Sequence, residues 1–383
     1  MKHNRVIIFS TDDHLYPAGG AEQAMGNITE RLPHIEFDLI CAKLRKGSVP
    51  YEQVNNVHIH RVGFGIPKVD GFILALFGHF YAYRLMKKHS YDLIWSIMAS
   101  YGAFSAVRVK KKTGIPFLLT LQEGDAFEYI YERVKHVRRS FNEIFEVADG
   151  IQAISKFLLE WGRELGYKGK HGTVIPNGVD IQAYTQSFAK TEIARTRSSF
   201  GFKDDAFILI TSSRLVHKNG IRYVVAALKE LPEDICFVIC GSGELEDEIR
   251  TQVDELKISN RVLFKGFVNP KELPLLMKAS DAFIRPSLSE GLGNAFLEAM
   301  AARIPVIGTT VGGIRDFLID GETGFAVDPE DSKSIVEAVT KVKKLPPSLR
   351  EDLVNRSEKV VRERYDWNSV SRDVERLFNA ITQ

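Results

Sequence analysis

The segment Asp281–Ala301, DAFIRPSLSEGLGNAFLEAMA, joins a short apolar run, a glycine-rich turn and an alanine-rich stretch with helical spacing. The apolar run predicts a strand that ends near Pro286, and the helix is expected to begin around Asn294. A strand that leads through a tight turn into a helix is the repeating unit of a parallel sheet with crossover helices. The segment therefore predicts an α/β fold.

The same alternation of short apolar runs and longer amphipathic segments extends over both halves of the chain. In the first half the runs are RVIIFS, FDLICA, DLIWSI, PFLLTL, GIQAIS and GTVIP, and in the second half they are FILITSS, CFVICGS, RVLFKGF, DAFIRPS, PVIGTT and GFAV. Segments such as IRYVVAALKEL and LEDEIRTQVDEL separate them with helical spacing. We therefore predict two doubly wound, Rossmann-like domains that face each other.

A turn signal and a terminal amphipathic segment set the predicted boundaries. Pro, Asn and Gly at 176–178 mark a turn, so we expect a first domain over residues 1–180 and a second over 181–365. Residues 366–383 predict a helix that needs a surface to pack on, with an N-cap at Asn368 or Ser369.

Composition excludes several classes of protein. The chain has 383 residues, of which 44% are hydrophobic and 26% are charged, so a disordered or fibrous protein is excluded. The net charge of +2 gives no bias toward nucleic acid. The three cysteines, Cys41, Cys236 and Cys240, cannot form a disulfide framework and are interpreted as buried thiols in a reducing compartment.

The opening residues MKHNRVIIFSTDDH do not form a secretory signal, because they turn polar after four apolar residues. The longest apolar stretch, Phe72–Met86, falls short of the roughly 20 residues that a membrane span requires. We therefore expect a cytoplasmic protein, and peripheral contact with the cytoplasmic membrane face stays open.

Glycines follow several predicted strands of the second half. Because ligands of doubly wound sheets bind beyond the carboxyl ends of the strands, these turns are the first place to expect a site. Glycine also allows a phosphate or a base to approach the backbone closely. The glycines concerned are Gly241, Gly243, Gly266, Gly291, Gly293, Gly312 and Gly313.

Two glutamates flank the turn before the predicted helix. Glu298 lies about one turn inside that helix among Phe296, Leu297 and Met300. A buried carboxylate without a partner would be costly, so Glu298 is predicted to accept hydrogen bonds from paired hydroxyls such as those of a ribose. Glu290 lies in the loop, where it can reach the far side of the same ligand. The alternative is that both are solvated acids near a helix N-terminus.

Two cations follow the predicted strand FILITSS. Arg214 and Lys218 are four residues apart in TSSRLVHKNG, so a short turn would project both to one side of the strand end. In that position they could clamp a diphosphate. The alternative is a pair of ordinary surface charges.

These segments carry a resemblance to a known family. The chain resembles the retaining GT-B glycosyltransferases of family four, which include bacterial mannosyltransferases, and the resemblance covers nearly its whole length. The matching segments are SRLVHKNG, CGSGE, VLFKGFV, ASDAFIRPSLSEGLGNAFLEAMA, PVIGTTVGGIRDFL and GETGFAV in the second half, and GGAEQ, AISKFL and IPNGVD in the first. The resemblance implies two facing Rossmann-like domains and a C-terminal helix that crosses back to the first domain.

The resemblance also implies roles for individual residues. Glu298 would hold the donor ribose, Glu290 would contact the transferred sugar, and Arg214 and Lys218 would bind the diphosphate. The second domain would bind a nucleotide sugar and the first an acceptor. The remaining donor-binding residues implied are Gly19, Gly20, Gly241, Gly266, Phe267, Val268, Gly291, Leu292, Gly293 and Asn294.

The chain departs from the family at one loop. Many members have a histidine after the fourth strand of the first domain, but this chain reads LLTLQEGDAF there. We expect Gln122 to replace the histidine through its amide. Glu123 and Asp125 are candidate acceptor ligands, and the alternative is that they are ordinary loop acids.

The resemblance implies a hexosyltransferase that retains anomeric configuration by front-face attack, in polysaccharide or glycolipid biosynthesis. No D-x-D triplet occurs in the chain, so neither a metal nor another cofactor is required by the sequence. An inverting enzyme would instead need Glu123 or Asp125 as general base. The donor nucleotide, UDP or GDP, stays open.

The acceptor is expected to be a glycan or a lipid-linked glycan. Phe72–Lys88 and Tyr131–Phe141 combine apolar, aromatic and basic residues that could contact anionic lipid headgroups or a lipid-linked acceptor. The alternative is one buried core helix and one solvated helix. Two other functions stay open: a nucleotide-sugar 2-epimerase of the same fold and a non-catalytic nucleotide-sugar-binding protein.

Overall fold

The computed structural model describes residues 5–13, 15 and 19–383, and only the backbone of Lys68. The chain forms two compact units. The first comprises residues 1–178 and 367–383, and the second comprises residues 179–366.

The first unit contains an eight-stranded sheet in the order β3-β4-β2-β1-β5-β6-β7-β8. Its strands are β1 (Arg5–Phe9), β2 (Glu36–Ala42), β3 (Tyr51–Val54), β4 (Val57–Val62), β5 (Leu93–Ile97), β6 (Phe117–Leu121), β7 (Gly150–Ala153) and β8 (His171–Val174). Its helices are α1 (Gly20–Glu30), α2 (Pro67–Met86), α3 (Tyr101–Thr113), α4 (Phe127–Val134), α5 (Arg138–Glu146), α6 (Lys156–Glu164) and α15 (Trp367–Ile381).

The pairing in this sheet is parallel except at its edge, where β3 and β4 form an antiparallel hairpin. The sequence pattern did not predict this hairpin. Its turn contains Asn55 at φ 52°, a left-handed conformation that asparagine tolerates better than most residues. The turn pairs β3 with β4, so β3 extends the sheet beyond β4 as its edge strand.

The second unit contains a six-stranded parallel sheet in the order β11-β10-β9-β12-β13-β14. Its strands are β9 (Phe207–Ser212), β10 (Ile235–Cys240), β11 (Val262–Gly266), β12 (Ala282–Arg285), β13 (Val306–Gly308) and β14 (Phe325–Ala326). Its helices are α7 (Ile181–Thr185), α8 (Lys190–Ser198), α9 (Ile221–Leu228), α10 (Glu246–Glu255), α11 (Leu273–Lys278), α12 (Asn294–Ala301), α13 (Ser332–Lys343) and α14 (Pro347–Arg364). Both predicted Rossmann-like sheets are thus confirmed.

The C-terminal helix α15 packs on the first unit, because its apolar face joins the core under β1 and β5. Phe378 contacts Trp95 with their ring centroids 5.2 Å apart. The predicted N-cap at Asn368 or Ser369 is wrong, since the helix begins at Trp367. The buried Trp367 ring lies against Gly178. This contact fixes Trp367 in the first turn, so the helix begins before the two polar residues that were expected to cap it.

The three cysteines are free and buried, as predicted. Cys236 and Cys240 both lie in β10 and Cys41 lies in β2. Within the described part of the chain, no helix is both long and apolar enough to cross a bilayer.

Candidate functional site

The strand order of the second unit reverses between β9 and β12. In a doubly wound sheet the loops after two such strands diverge and leave a crevice at the carboxyl edge, where ligands bind. Arg214 and Lys218 follow β9, and Glu290 and Glu298 follow β12. The fold therefore places these four predicted residues in the loops and helix beside one switch point.

The loops after β9 and β12 are in direct contact. The Leu288 amide donates to the Lys218 carbonyl at 2.6 Å. A short 3-10 turn, His217–Asn219, follows Arg214, and the Asn219 side chain donates to the Arg214 carbonyl at 2.7 Å. The Arg214 side chain is exposed and Lys218 is half-buried. Both cations thus extend from a backbone that hydrogen bonds hold in place.

The predicted glycine turns pack loop against loop. A Cβ on Gly241, which has φ 138°, would lie 1.9 Å from the Ser213 carbonyl oxygen, so no other residue fits between the loops after β9 and β10. The Gly241 amide donates to the Gly266 carbonyl at 2.7 Å. Beyond Gly266, Phe267 is 72% exposed and Val268 is half-buried. This edge offers an exposed aromatic ring at the end of β11.

Glu290 forms an ion pair that the sequence analysis missed. Its Oε2 accepts from Nη2 of Arg285 at 2.7 Å, with the two side chains 17% and 7% exposed. Arg285 also donates from Nε to Ser287 Oγ at 3.1 Å and lies 4.9 Å from the Phe296 ring centroid. One feature of the sequence could have indicated this pair: Arg285 is a lone cation at the end of an apolar strand, five residues before Glu290.

The backbone of Glu290 is fixed as well as its side chain. Its carbonyl accepts from the Gly313 amide at 3.0 Å. Gly312 has φ 55°, and a Cβ there would lie 1.8 Å from the same carbonyl oxygen. A glycine is therefore required for the loop after β13 to pack against the loop that carries Glu290.

Glu298 also has a partner that the sequence analysis did not name. Helix α12 begins at Asn294, as predicted, after the buried turn of Gly291, Leu292 and Gly293. The half-buried Glu298 carboxylate accepts a hydrogen bond from the Tyr184 hydroxyl, and burial raises the pKa of Glu298. Burial together with Glu298 raises the pKa of Tyr184, so this phenol stays a donor. Nothing in the local sequence of α7 distinguishes Tyr184.

The remaining predicted residues belong to the first unit. Gly19 and Gly20 are exposed at the start of α1. Gln122 follows β6, and its Oε1 accepts from Asn177 Nδ2 at 2.9 Å. Gln122 Nε2 and Asn177 Oδ1 are buried and make no hydrogen bond within the described residues. The pair thus has one unbonded NH2 group that can donate and one unbonded carbonyl oxygen that can accept.

Glu123 and Asp125 differ in environment. Asp125 is exposed, whereas Glu123 is only 7% exposed. Glu123 Oε1 accepts from the Ala99 amide after β5 at 2.8 Å, and its Oε2 has no hydrogen-bond partner among the residues described. Burial raises the pKa of Glu123 to about 7.

The architecture and the loop glycines define the class: the fold is that of the GT-B glycosyltransferases. HepE of Anabaena, solved with UDP and glucose, aligns with a TM-score of 0.79 at 19% sequence identity, covering 99% of this chain and 100% of that chain.

Two family descriptions match successive parts of the sequence. Glycosyltransferase Family 4 matches residues 18–183, and Glycosyl transferases group 1 matches residues 192–360. Together the two matches cover most of the chain. The chain therefore belongs to the family 4 glycosyltransferases, with a group 1 domain in its second half.

Curated relatives match over part of their length. An uncharacterised glycosyltransferase of Methanocaldococcus jannaschii is 31% identical over 54% of this chain and 53% of its own length, so the match spans about half of that relative. The UDP-Gal:alpha-D-GlcNAc-diphosphoundecaprenol alpha-1,3-galactosyltransferase of Escherichia coli is 27% identical over 68% of each chain.

Proposed function

We propose that this chain transfers a sugar from a nucleoside diphosphate sugar to a hydroxyl of an acceptor and retains the anomeric configuration. One observation carries the proposal. At the switch point of the second unit, the cations Arg214 and Lys218 follow β9, while Glu298 and the Arg285-bound Glu290 follow β12. Cations for a diphosphate and carboxylates for hydroxyls are the groups that such a donor requires.

The donor is a UDP- or GDP-linked sugar. Family membership supports this, as do the UDP bound to HepE and the UDP-galactose named for the Escherichia coli relative. In this account Glu298 binds the ribose hydroxyls, and Tyr184 orients its carboxylate. Backbone groups at Gly266 and Val268, with the exposed Phe267 ring, bind the base.

The reaction breaks the bond between the sugar anomeric carbon and the diphosphate oxygen. Negative charge develops on that oxygen, where Arg214, Lys218 and the N-terminus of α12 stabilise it. The acceptor oxygen bonds to the anomeric carbon on the same face, and its proton passes to the departing phosphate oxygen. Glu290 orients the sugar and forms no covalent bond.

We propose that the transfer needs no metal. The sequence has no D-x-D triplet, and Arg214 and Lys218 supply positive charge where a metal would otherwise neutralise the diphosphate.

We place the acceptor on the first unit, near Gln122, Glu123 and Asp125, and propose a glycan or lipid-linked glycan. The diphosphoundecaprenol substrate named for the Escherichia coli relative supports the second class. Phe72–Lys88 presents exposed apolar side chains, among them Phe77 and Phe80, which supports peripheral contact with the cytoplasmic membrane face.

The test is release of free nucleoside diphosphate from UDP-glucose, UDP-galactose or GDP-mannose, with and without a bacterial lipid and glycan extract, in excess EDTA. Release that depends on the extract is expected. A 2-epimerase would change the sugar without an acceptor, and a binding protein would bind the donor without either reaction. Activity that EDTA abolishes and magnesium restores would contradict metal independence.

A further inference from the structure

The first unit contains a cavity of about 380 Å³ at the carboxyl ends of β5 and β6. This volume lies within the range of about 300–1,000 Å³ that is typical of small-molecule sites. Helices α2, α3, α4 and α5 supply most of its wall. The apolar side chains of that wall include Phe72, Leu76, Phe104, Ile130, Val134 and Val137.

The rim of this cavity exposes large apolar side chains. Phe72 is 59%, Leu76 51% and Val137 47% exposed, and the Phe72 ring packs edge-on against Tyr101 at 5.3 Å. Contiguous apolar surface of this kind marks a contact with an apolar partner. On α2 it continues to Phe80, which is 60% exposed. The cavity therefore opens into a surface that favours hydrocarbon.

One buried polar atom in the wall lacks a partner. Glu123 lines the cavity, and its Oε2 makes no hydrogen bond within the described residues, whereas its Oε1 is bound by the Ala99 amide. Burying such an oxygen is unfavourable unless a ligand supplies a donor. A ligand hydroxyl in the cavity would satisfy it.

Two guanidinium groups also line the cavity. Arg108 Nη1 donates to the carbonyls of Ala75 and Phe104, and the Arg133 guanidinium lies 5.6 Å from the Tyr129 ring centroid. Neither forms an ion pair with a carboxylate in the part of the chain that the structure describes. Two such cations beside an apolar wall complement a phosphate that carries a hydrocarbon chain.

We propose that this cavity binds the lipid phosphate part of a lipid-linked acceptor. The hydrocarbon chain packs on Phe72, Leu76 and Val137, the phosphate binds Arg108 and Arg133, and a headgroup hydroxyl donates to Glu123 Oε2. This inference rests on the proposed function and specifies the acceptor class. A water-soluble glycan would leave the apolar wall and its exposed rim without a partner.

The first experiment titrates the full chain by calorimetry with three probes: dodecyl phosphate below its critical micelle concentration, butyl phosphate and inorganic phosphate. A fully buried methylene strengthens binding by roughly fourfold, so dodecyl phosphate should bind at least about tenfold more tightly than butyl phosphate. Equal affinity for all three probes, or no binding of dodecyl phosphate, would overturn the proposal. A protein partner on this surface would give the second of these results.

Matched variants locate the site. Leu76→Glu places a charge in the wall and should weaken dodecyl phosphate binding by at least about tenfold. The control is Leu349→Glu in α14 of the second unit, because Leu349 is 53% exposed and Leu76 is 51% exposed. Arg133→Met should weaken all phosphate probes, whereas Arg139→Met, an exposed cation outside the cavity wall, should not. Wild-type affinity in both Leu76→Glu and Arg133→Met would contradict the assignment.

The same titrations separate this inference from the proposed function. If dodecyl phosphate does not bind while UDP binds and sugar transfer persists, the acceptor inference is wrong and the transferase proposal stands. If dodecyl phosphate binds as predicted but no nucleotide sugar is turned over with any acceptor, the cavity assignment stands and the transferase proposal is wrong.

Discussion

Arg285 Nη2 and Glu290 Oε2 lie 2.7 Å apart in an ion pair whose side chains are 7% and 17% exposed. Glu290 is therefore held, before any ligand binds, by the cation that ends the strand preceding its loop. Breaking a buried pair by removing one partner is far costlier than breaking an exposed pair, because the other charge is left desolvated. The orientation of the glutamate assigned to the transferred sugar thus depends on Arg285.

Arg285→Met should lower kcat by about 10²-fold, because a displacement of about 1 Å in a positioning group has an effect of that size. The donor Kd should change less, since Glu290 contacts the sugar and not the nucleotide in this account. Steady-state kinetics and calorimetry with UDP separate the two effects, and Arg285→Lys should recover part of kcat.

Arg222→Met is the matched control, because Arg222 pairs with Glu248 at 3.2 Å with side chains 46% and 54% exposed. An exposed pair contributes about 0–1 kcal/mol, so this variant should behave as wild type. A folded Arg285→Met variant with unchanged kcat would remove Arg285 and Glu290 from the mechanism.

Glu298→Ala should weaken binding of the nucleoside diphosphate by roughly 1.5 to 3 kcal/mol for each charge-assisted hydrogen bond to the ribose that is lost. Tyr184→Phe should cost less, about 0.5 to 1.5 kcal/mol, because it removes only the hydroxyl that orients the carboxylate. Calorimetry with UDP and GDP measures both. Wild-type affinity in a folded Glu298→Ala variant would exclude Glu298 from the donor site.

Arg214→Met and Lys218→Met should each lower kcat by about 10²- to 10³-fold, as expected for losing one preorganised partner of the developing charge. For at least one of them kcat should fall more than donor affinity, because the charge develops only as the bond breaks. Lys229→Met, at an exposed lysine after α9, is the control. If Arg214→Met and Lys218→Met both lose donor affinity and keep kcat, while the Lys229→Met control behaves as wild type, the two cations bind the ground state only.

The raised pKa of Glu123 predicts a pH dependence of stability. The pKa of Glu123 is about 7 in the folded protein and lower in the unfolded chain. At a pH between these two pKa values, the folded protein keeps a proton on Glu123 that the unfolded chain releases. The free energy of unfolding should therefore fall by roughly 1 to 3 kcal/mol as the pH rises from about 4.3 to about 7. Glu123→Gln should lose this decrease, which urea titrations at several pH values would reveal. An equal slope in wild type and variant would contradict it.

The sequence predicted the fold well because both sheets are built from apolar runs bounded by turns. It missed the β3–β4 hairpin. The edge strand β3, YEQV, alternates exposed and half-buried side chains, and the mostly buried β4, VHIHRV, carries two histidines and an arginine among its apolar residues. Period-two burial at an edge is a weaker signal than a continuous apolar strand.

The positions of candidate site residues were predictable where they depend only on spacing within one βα unit. Glu290, Glu298 and Asn294 lie on one turn and one helix, so their placement followed from the βα unit. Tyr184 approaches Glu298 from more than a hundred residues away in sequence, and only the packing of α7 on α12 brings them together. Arg285 is only five residues from its partner Glu290. A cation at the end of a strand indicates a buried partner, however, only when the cation itself is known to be buried.

The anomeric configuration of the first-formed product tests the central claim most directly. With an α-linked nucleotide sugar as donor, proton NMR of the product in the first minutes should show an α linkage. Glu123→Gln and Asp125→Asn should still turn over, because a donor phosphate oxygen accepts the acceptor proton in this account. A β linkage, with activity lost in one of these two variants, would contradict retention and assign a general base to the loop after β6.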